Sequence, residues 1–230
     1  MKELYSGKFA PITDTIGFLQ CDAKRAVAAF LDWQNDIQST RGVSLSASCI
    51  AGDFPSAIKA LLPLTSVERR RYLFAPTDSN WTVFLDNGHK GTDAFSHLSY
   101  LAERLACNAV RMTYVSEGRE DSYPATIFKI YGPYKTDFLN IVRSISCAVD
   151  GGRWVFSAEG EVQPFENVER YSERSIKNRF TGEMLEAYLS QLGIRAFEEG
   201  FYMPSNMQAV LAEKEGPIAP SAREFELICK

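Results

Sequence analysis

Residues 70–87 constrain the fold of this chain most strongly. The runs "RRYLFAPT" and "WTVFLDN" are aromatic and β-branched, with only "DSN" between them. Such side chains fit a pleated, partly buried surface, and a short polar break folds the second run back on the first. A β-hairpin is therefore expected, and with it a sheet on which the remaining elements must pack.

Several other segments carry helical spacing. In "CDAKRAVAAFLDWQNDI", Asp22 is placed to cap free amides, and Ala26, Val27, Phe30, Gln34 and Ile37 share one face. "DFPSAIKALLPL" reads as a shorter helix that starts at Asp53 and Pro55, stops near Pro63 and packs beside the first. After "NGHKGTD", the stretch "AFSHLSYLAERLAC" aligns Phe95, Leu98, Ala102 and Leu105, and the strand-like "AVRMTYV" follows. The charged loop "SEGREDSYP" then leads to a further strand, "ATIFKIYG". From Asp137, "FLNIVRSISCAV" reads as a helix ended by Gly151 and Gly152, and "RWVFSAEGEVQPFE" as an aromatic strand turning at Glu159 and Gly160. "TGEMLEAYLSQLGI" supplies a helix with Thr181 as cap, Leu185, Tyr188, Leu189 and Leu192 as its buried stripe, and Gly193 as its stop.

The expected architecture is α+β: a mixed, mostly antiparallel sheet with helices packed on it, forming a single domain over residues 1–202. Residues 203–230, polar and proline-bearing, are expected to form a C-terminal tail or surface-wrapping segment. With 45% hydrophobic residues in 230, the chain has ample material for one core. Its net charge of −4 disfavours general nucleic-acid affinity and accommodates a basic protein partner. Cys21, Cys49, Cys107, Cys147 and Cys229 are scattered, with no CxxC or paired metal-ligand spacing, as expected of reduced thiols in a cytosol. The first residues lack the apolar run of a signal peptide, and no stretch approaches the roughly 18–20 apolar residues of a membrane span. A cytoplasmic protein without a membrane partner is expected.

Both histidines fall in "VFLDNGHKGTDAFSH", residues 83–97. Asp86, His89, Asp93 and His97 are metal-competent, and Asp93 and His97 stand four apart on the expected helix. The HExxH pattern of zinc helices is absent. The same segment joins a strand to a helix through two glycines and Lys90, as anion-binding loops do, but it lacks GxxxxGK[ST] and GxGxxG, and Asp93 opposes an anion. The favoured reading is architectural. Asp93 caps the helix, Gly88 and Gly91 permit positive φ, and neither metal nor cofactor is expected. The alternative is a small-molecule or metal-dependent enzyme using Asp86 to His97.

Nucleophilic pairings would need Cys107 or Cys147 beside His89 or His97, yet none has a local signature, and buried cysteine is the commoner role. Glu159 and Glu161, two apart beside a turn, are better read as solvated than as an acid–base pair. The arginines of "ERRRY", residues 68–72, are expected to be neutralised by neighbouring acids. Glu159, Glu161, Glu166 and Glu169, with Glu198 and Glu199 further on, are the candidate binding residues: an acidic face that would speed association with a basic partner.

"WTVFLDNGHKGTDAF", "LSYLAERLACNAVRMTYV" and "GGRWVFSAEGEVQPFENVERY" resemble segments of bacterial immunity proteins of polymorphic toxin systems, and the resemblance extends over residues 10–200. It implies a noncatalytic cytoplasmic inhibitor that binds a cognate toxin and blocks its active site. It carries over no functional residue. Trp81, Trp154 and several tyrosines are available as interface anchors, or as core.

Overall fold

The computed structural model describes residues 3–119, 122–204 and 207–227. The expected hairpin forms from β4, Arg71–Pro76, and β5, Thr82–Asp86, with Leu73 opposite Leu85 and Phe74 opposite Phe84. It lies inside a nine-stranded sheet with β1 (Thr15–Leu19), β2 (Ser44–Ile50), β6 (Ala109–Val115), β7 (Ala125–Tyr131), β8 (Ile141–Asp150), β9 (Arg153–Gly160) and β10 (Ala209–Glu215). The order is β2-β10-β4-β5-β1-β6-β7-β8-β9, and every named pairing is antiparallel. The chain is thus an α+β single domain. A two-residue pair, β3 (Leu64–Thr65) with β11 (Glu224–Phe225), stands apart from this sheet.

Alternation along the strands divides the core in two. Ile16, Phe18, Leu73, Val83, Leu85, Val110, Met112, Phe128 and Ile145 point to one face, whereas Leu19, Tyr72, Phe74, Phe84, Ala109 and Tyr131 point to the other. Helices α2 (Phe54–Lys59) and α4 (Gly182–Gln191) pack on the first face, α1 (Ala23–Gln38) and α3 (Phe95–Leu105) on the second. The shorter helix therefore does not lie beside α1: the sheet separates them, because Phe54, Ala57 and Ile58 bury against Tyr202 and the inward residues of β4.

Local capping follows the sequence. The Asp22 carboxylate accepts from Arg25 N at 2.9 Å, Asp53 from Ser56 N at 2.9 Å, and Thr181 Oγ1 from Met184 N at 3.4 Å. On α1 the buried residues include Ala26, Val27, Phe30 and Gln34, while Ile37 lies outside the stripe and is exposed. Gly17 leaves room for α3 to close on the sheet, since a Cβ there would meet both Leu98 methyls at 3.1 Å and Ala94 Cβ at 3.2 Å.

Two expectations are corrected. The run after Asp137 is strand β8, not a helix. Arg143, Ile145 and Cys147 point inward while Ser144, Ser146 and Ala148 point outward, and Gly151 (φ 54°) and Gly152 (φ 78°) form the two-residue turn into β9 rather than a helix stop. The segment after Met203 is more than a tail. Within it, β10 is an interior strand between β2 and β4, while β11 does lie along the surface against β3. Cys229 lies outside the described residues. No helix among the described residues is long and apolar enough to cross a membrane.

Candidate binding surface

The segment carrying both histidines is organised by one carboxylate. Asp86 ends β5 fully buried, and its two oxygens accept from Gly88 N and Asp93 N, each at 2.9 Å. Arg69 Nε lies 3.7 Å away, and burial pushes the Asp86 carboxyl up to about 6. Two further loop amides also have partners: His89 N donates to Thr65 O, and Gly91 N to Gly88 O. The anion that this glycine loop can hold is its own aspartate.

The glycines and Asp93 differ in part from expectation. Gly91 does adopt positive φ, at 100°. Gly88 is needed for space instead, because a Cβ would sit 2.7 Å from Gly91 O and 2.9 Å from Arg69 Nε. The first cap residue of α3 is Ala94, which makes no side-chain bond, and Asp93 reaches only Phe95 N, at 3.4 Å.

His97 sits among the rings of Phe30, Trp33, Tyr72 and Phe84, with centroids 5.1–5.8 Å away, and its Nδ1 meets Asp93 O at 3.1 Å. Burial there holds the imidazole down at about 4. His89 instead stacks on Phe225 at 4.9 Å. Among the described residues, no three His, Cys, Asp or Glu side chains gather as a metal set. The candidate nucleophiles Cys107 and Cys147 have neighbours other than histidine. Cys107 lies near enough to Cys21 for the two thiols to influence each other, and Cys147 Sγ donates to Ile176 O at 3.2 Å.

The arginines of residues 69–71 are neutralised as expected. Arg70 pairs with Glu68 at 2.6 Å, Arg71 with Glu213 at 2.9 Å, and Arg69 faces Asp86. Trp81 belongs to the core and donates Nε1–H to Leu192 O at 2.8 Å, while Trp154 packs partly buried against that core.

The four candidate glutamates divide. Glu159, Glu161 and Glu169 are exposed. The Glu166 side chain is fully buried: it holds Arg143 in a two-point pair at 2.8 and 2.6 Å and accepts from Tyr171 OH and Gln163 N. It is a structural residue, and its buried pairing removes it from any acidic face.

Register brings out a surface that the sequence did not disclose. Helix α1 packs on β2, β10 and β4, and α3 on β1, β6 and β7, so among the described residues neither helix packs extensively over their side of β8 and β9. Cross-strand rows on this open side run Arg111–Lys129–Ser144–Glu159, then Thr113–Ile127–Ser146–Ser157, then Val115–Ala125–Ala148–Val155. Most of these side chains are small or β-branched, so few project far from this side of the sheet. Ser146 and Ser157 hydroxyls bond across it at 3.0 Å.

The loop from β7 to β8 rises at one end of the platform and displays Tyr134 (80% exposed) and Phe138 (63%). Buried Asn140 pins that loop, donating to Gly132 O at 2.7 Å and Ser99 O at 2.9 Å while accepting from Ser99 Oγ at 2.7 Å. These exposed aromatics therefore stand on a fixed base, as interface anchors do.

No protein-family profile, curated protein or solved structure matches this chain. Function must be argued from the surface itself.

Proposed function

We propose that this chain is a noncatalytic binding protein of the immunity type, which inhibits a cognate bacterial toxin by docking it on the open half of the sheet. The observation that carries this reading is the face of β8 and β9 that α1 and α3 leave open, ending in a pinned loop with two exposed aromatic side chains. A face of Ser, Ala and Thr admits close approach, and fixed aromatics lose little conformational entropy on contact. Glu159, Glu161 and Glu169 lie exposed on and around β9 and suit the steering of a basic partner. The commitment of Asp86 and His97 to structural contacts lends no weight to chemistry in that segment.

The test is capture from a lysate of the native host with the tagged full chain, followed by co-expression with the captured protein. Wild type should retain one stoichiometric partner and relieve its toxicity. Phe138→Asp and Ser146→Arg should lose both effects while melting within about 0.5 kcal/mol of wild type, as surface changes do. Reversal of Glu159 and Glu161 should slow association more than it speeds release. A partner held equally well by the Phe138→Asp and Ser146→Arg proteins would remove the platform from the mechanism.

A further inference from the structure

On the side of the sheet that α3 covers, Arg111 of β6 stands directly opposite Lys129 of β7, with Tyr131 diagonal to Arg111 on the same side. Two like charges in direct cross-strand register destabilise a sheet unless something lies between them. Among the described residues neither cation has an ion pair, and Lys129 Nζ rests over the Phe95 ring at 5.1 Å. Beside them are two buried donors without acceptors: Arg111 Nε and the hydroxyl of Tyr131, a residue with 0% exposure. A buried donor left unpaired is costly, so two together with an opposed cation pair mark a place built for something else.

We propose that Arg111, Lys129 and Tyr131 form a binding site for a carboxylate. Arginine offers a planar fork, tyrosine a neutral O–H and lysine a mobile ammonium, which together match the two oxygens and single charge of that group. The surrounding charges favour a monoanion over a phosphate dianion. The carboxylates of Asp93 and Glu159 lie near enough to act on the Tyr131 hydroxyl and the Lys129 ammonium respectively, and they would repel a second negative charge on the ligand. Burial lowers the Lys129 ammonium and raises the Tyr131 phenol, so the phenol keeps its proton at neutral pH. The site is defined by its own side chains and does not depend on a toxin being the partner.

Titration of the isotopically labelled full chain with sodium acetate, at ionic strength held constant by sodium chloride, tests the assignment. Saturable NMR shifts are expected at Arg111 Nε–H and the Tyr131 ring. Affinity should fall roughly tenfold or more in Arg111→Gln and measurably in Tyr131→Phe, since a hydrogen bond to a charged group is lost in each. Tyr131→Phe should also melt higher than wild type without acetate, because it removes only an unpaired hydroxyl. Inorganic phosphate should bind more weakly than acetate. Shifts that stay linear, that chloride reproduces, or that persist in both variants would overturn the site, and tighter binding of phosphate would overturn its assignment to carboxylates.

A small acid and an acidic side chain of a docked protein present the same group. If acetate binds and Arg111→Gln leaves partner capture unchanged, the site serves a free acid. If the variant weakens capture, the site receives a partner's aspartate or glutamate.

Discussion

At the residue scale, Asp86 and His97 set opposing pH responses. The Asp86 carboxyl titrates near 6 in the folded chain, above its ordinary value of 3.8, so the folded state binds more protons than the unfolded between those limits. Its contribution to stability is therefore present at low pH and lost as pH rises through about 6. His97 runs the other way. Its folded value of about 4 lies below 6.5, so its contribution is present above 6.5 and lost as pH falls toward 4. The windows overlap, and wild-type stability should change little between pH 4 and 6. His97→Leu should unmask a steady fall in urea midpoint as pH rises across that interval. An unchanged, flat profile in the variant would mean that burial does not raise the Asp86 carboxyl above its ordinary pKa. The origin of this arrangement was only half legible in the sequence. Asp86 and the glycines stood out as a group, but the loop's enclosure of its own carboxylate depends on Arg69, which belongs to the preceding strand connection and is remote in periodicity terms.

At the element scale, legibility followed the strength of local signals. Helices α1, α3 and α4 announce themselves because their apolar stripes have helical spacing, and two of them start at a residue whose side chain caps them. Strand β8 was obscured because Ile141, Ile145 and Ala148 also satisfy helical spacing, and because Arg143, an inward position, carries a charge. That charge is tolerated only through Glu166, 23 positions away, which no local pattern connects to it. The paired glycines were the usable signal: two consecutive positive-φ residues belong to a tight hairpin turn, whereas a helix end needs one. The turn yields a prediction. Gly151→Ala should cost roughly 1–2 kcal/mol through left-handed strain, while Gly151→Asn should be close to neutral, because Asn-Gly suits this turn. Equal losses in chemical denaturation for the two variants would contradict the turn geometry. The outward serines and alanines of β8 and β9, which form the platform, carry no sequence signature, since small residues on a solvent-facing strand are ordinary.

At the scale of the whole molecule, the least local connection controls the most structure. The crossover from β5 through α3 to β6 sets two strands parallel in direction, which local reading takes for a mixed sheet. β1, from the start of the chain, fits between them and pairs antiparallel with both. The other half is completed from the far end of the chain, where β10 joins Val210 to Cys49 of β2 and to Phe74 of β4. Because β10 is, among the described residues, the sole sheet neighbour of β2, and α1 rests on β2, β10 and β4 together, residues 209–215 hold that end of the sheet and its helix in place. A chain truncated after Pro204 should therefore lose far more than a tail. β2 would have no ladder partner, and β4 would present a hydrophobic edge with unpaired amides, a template for association. Sedimentation and circular dichroism should find the truncated protein aggregated or partly unfolded. If it stayed monomeric, with a urea dependence matching the full chain, residues 209–215 would add no surface to the cooperative unit, and the boundary read from composition at Met203 would be the physical one.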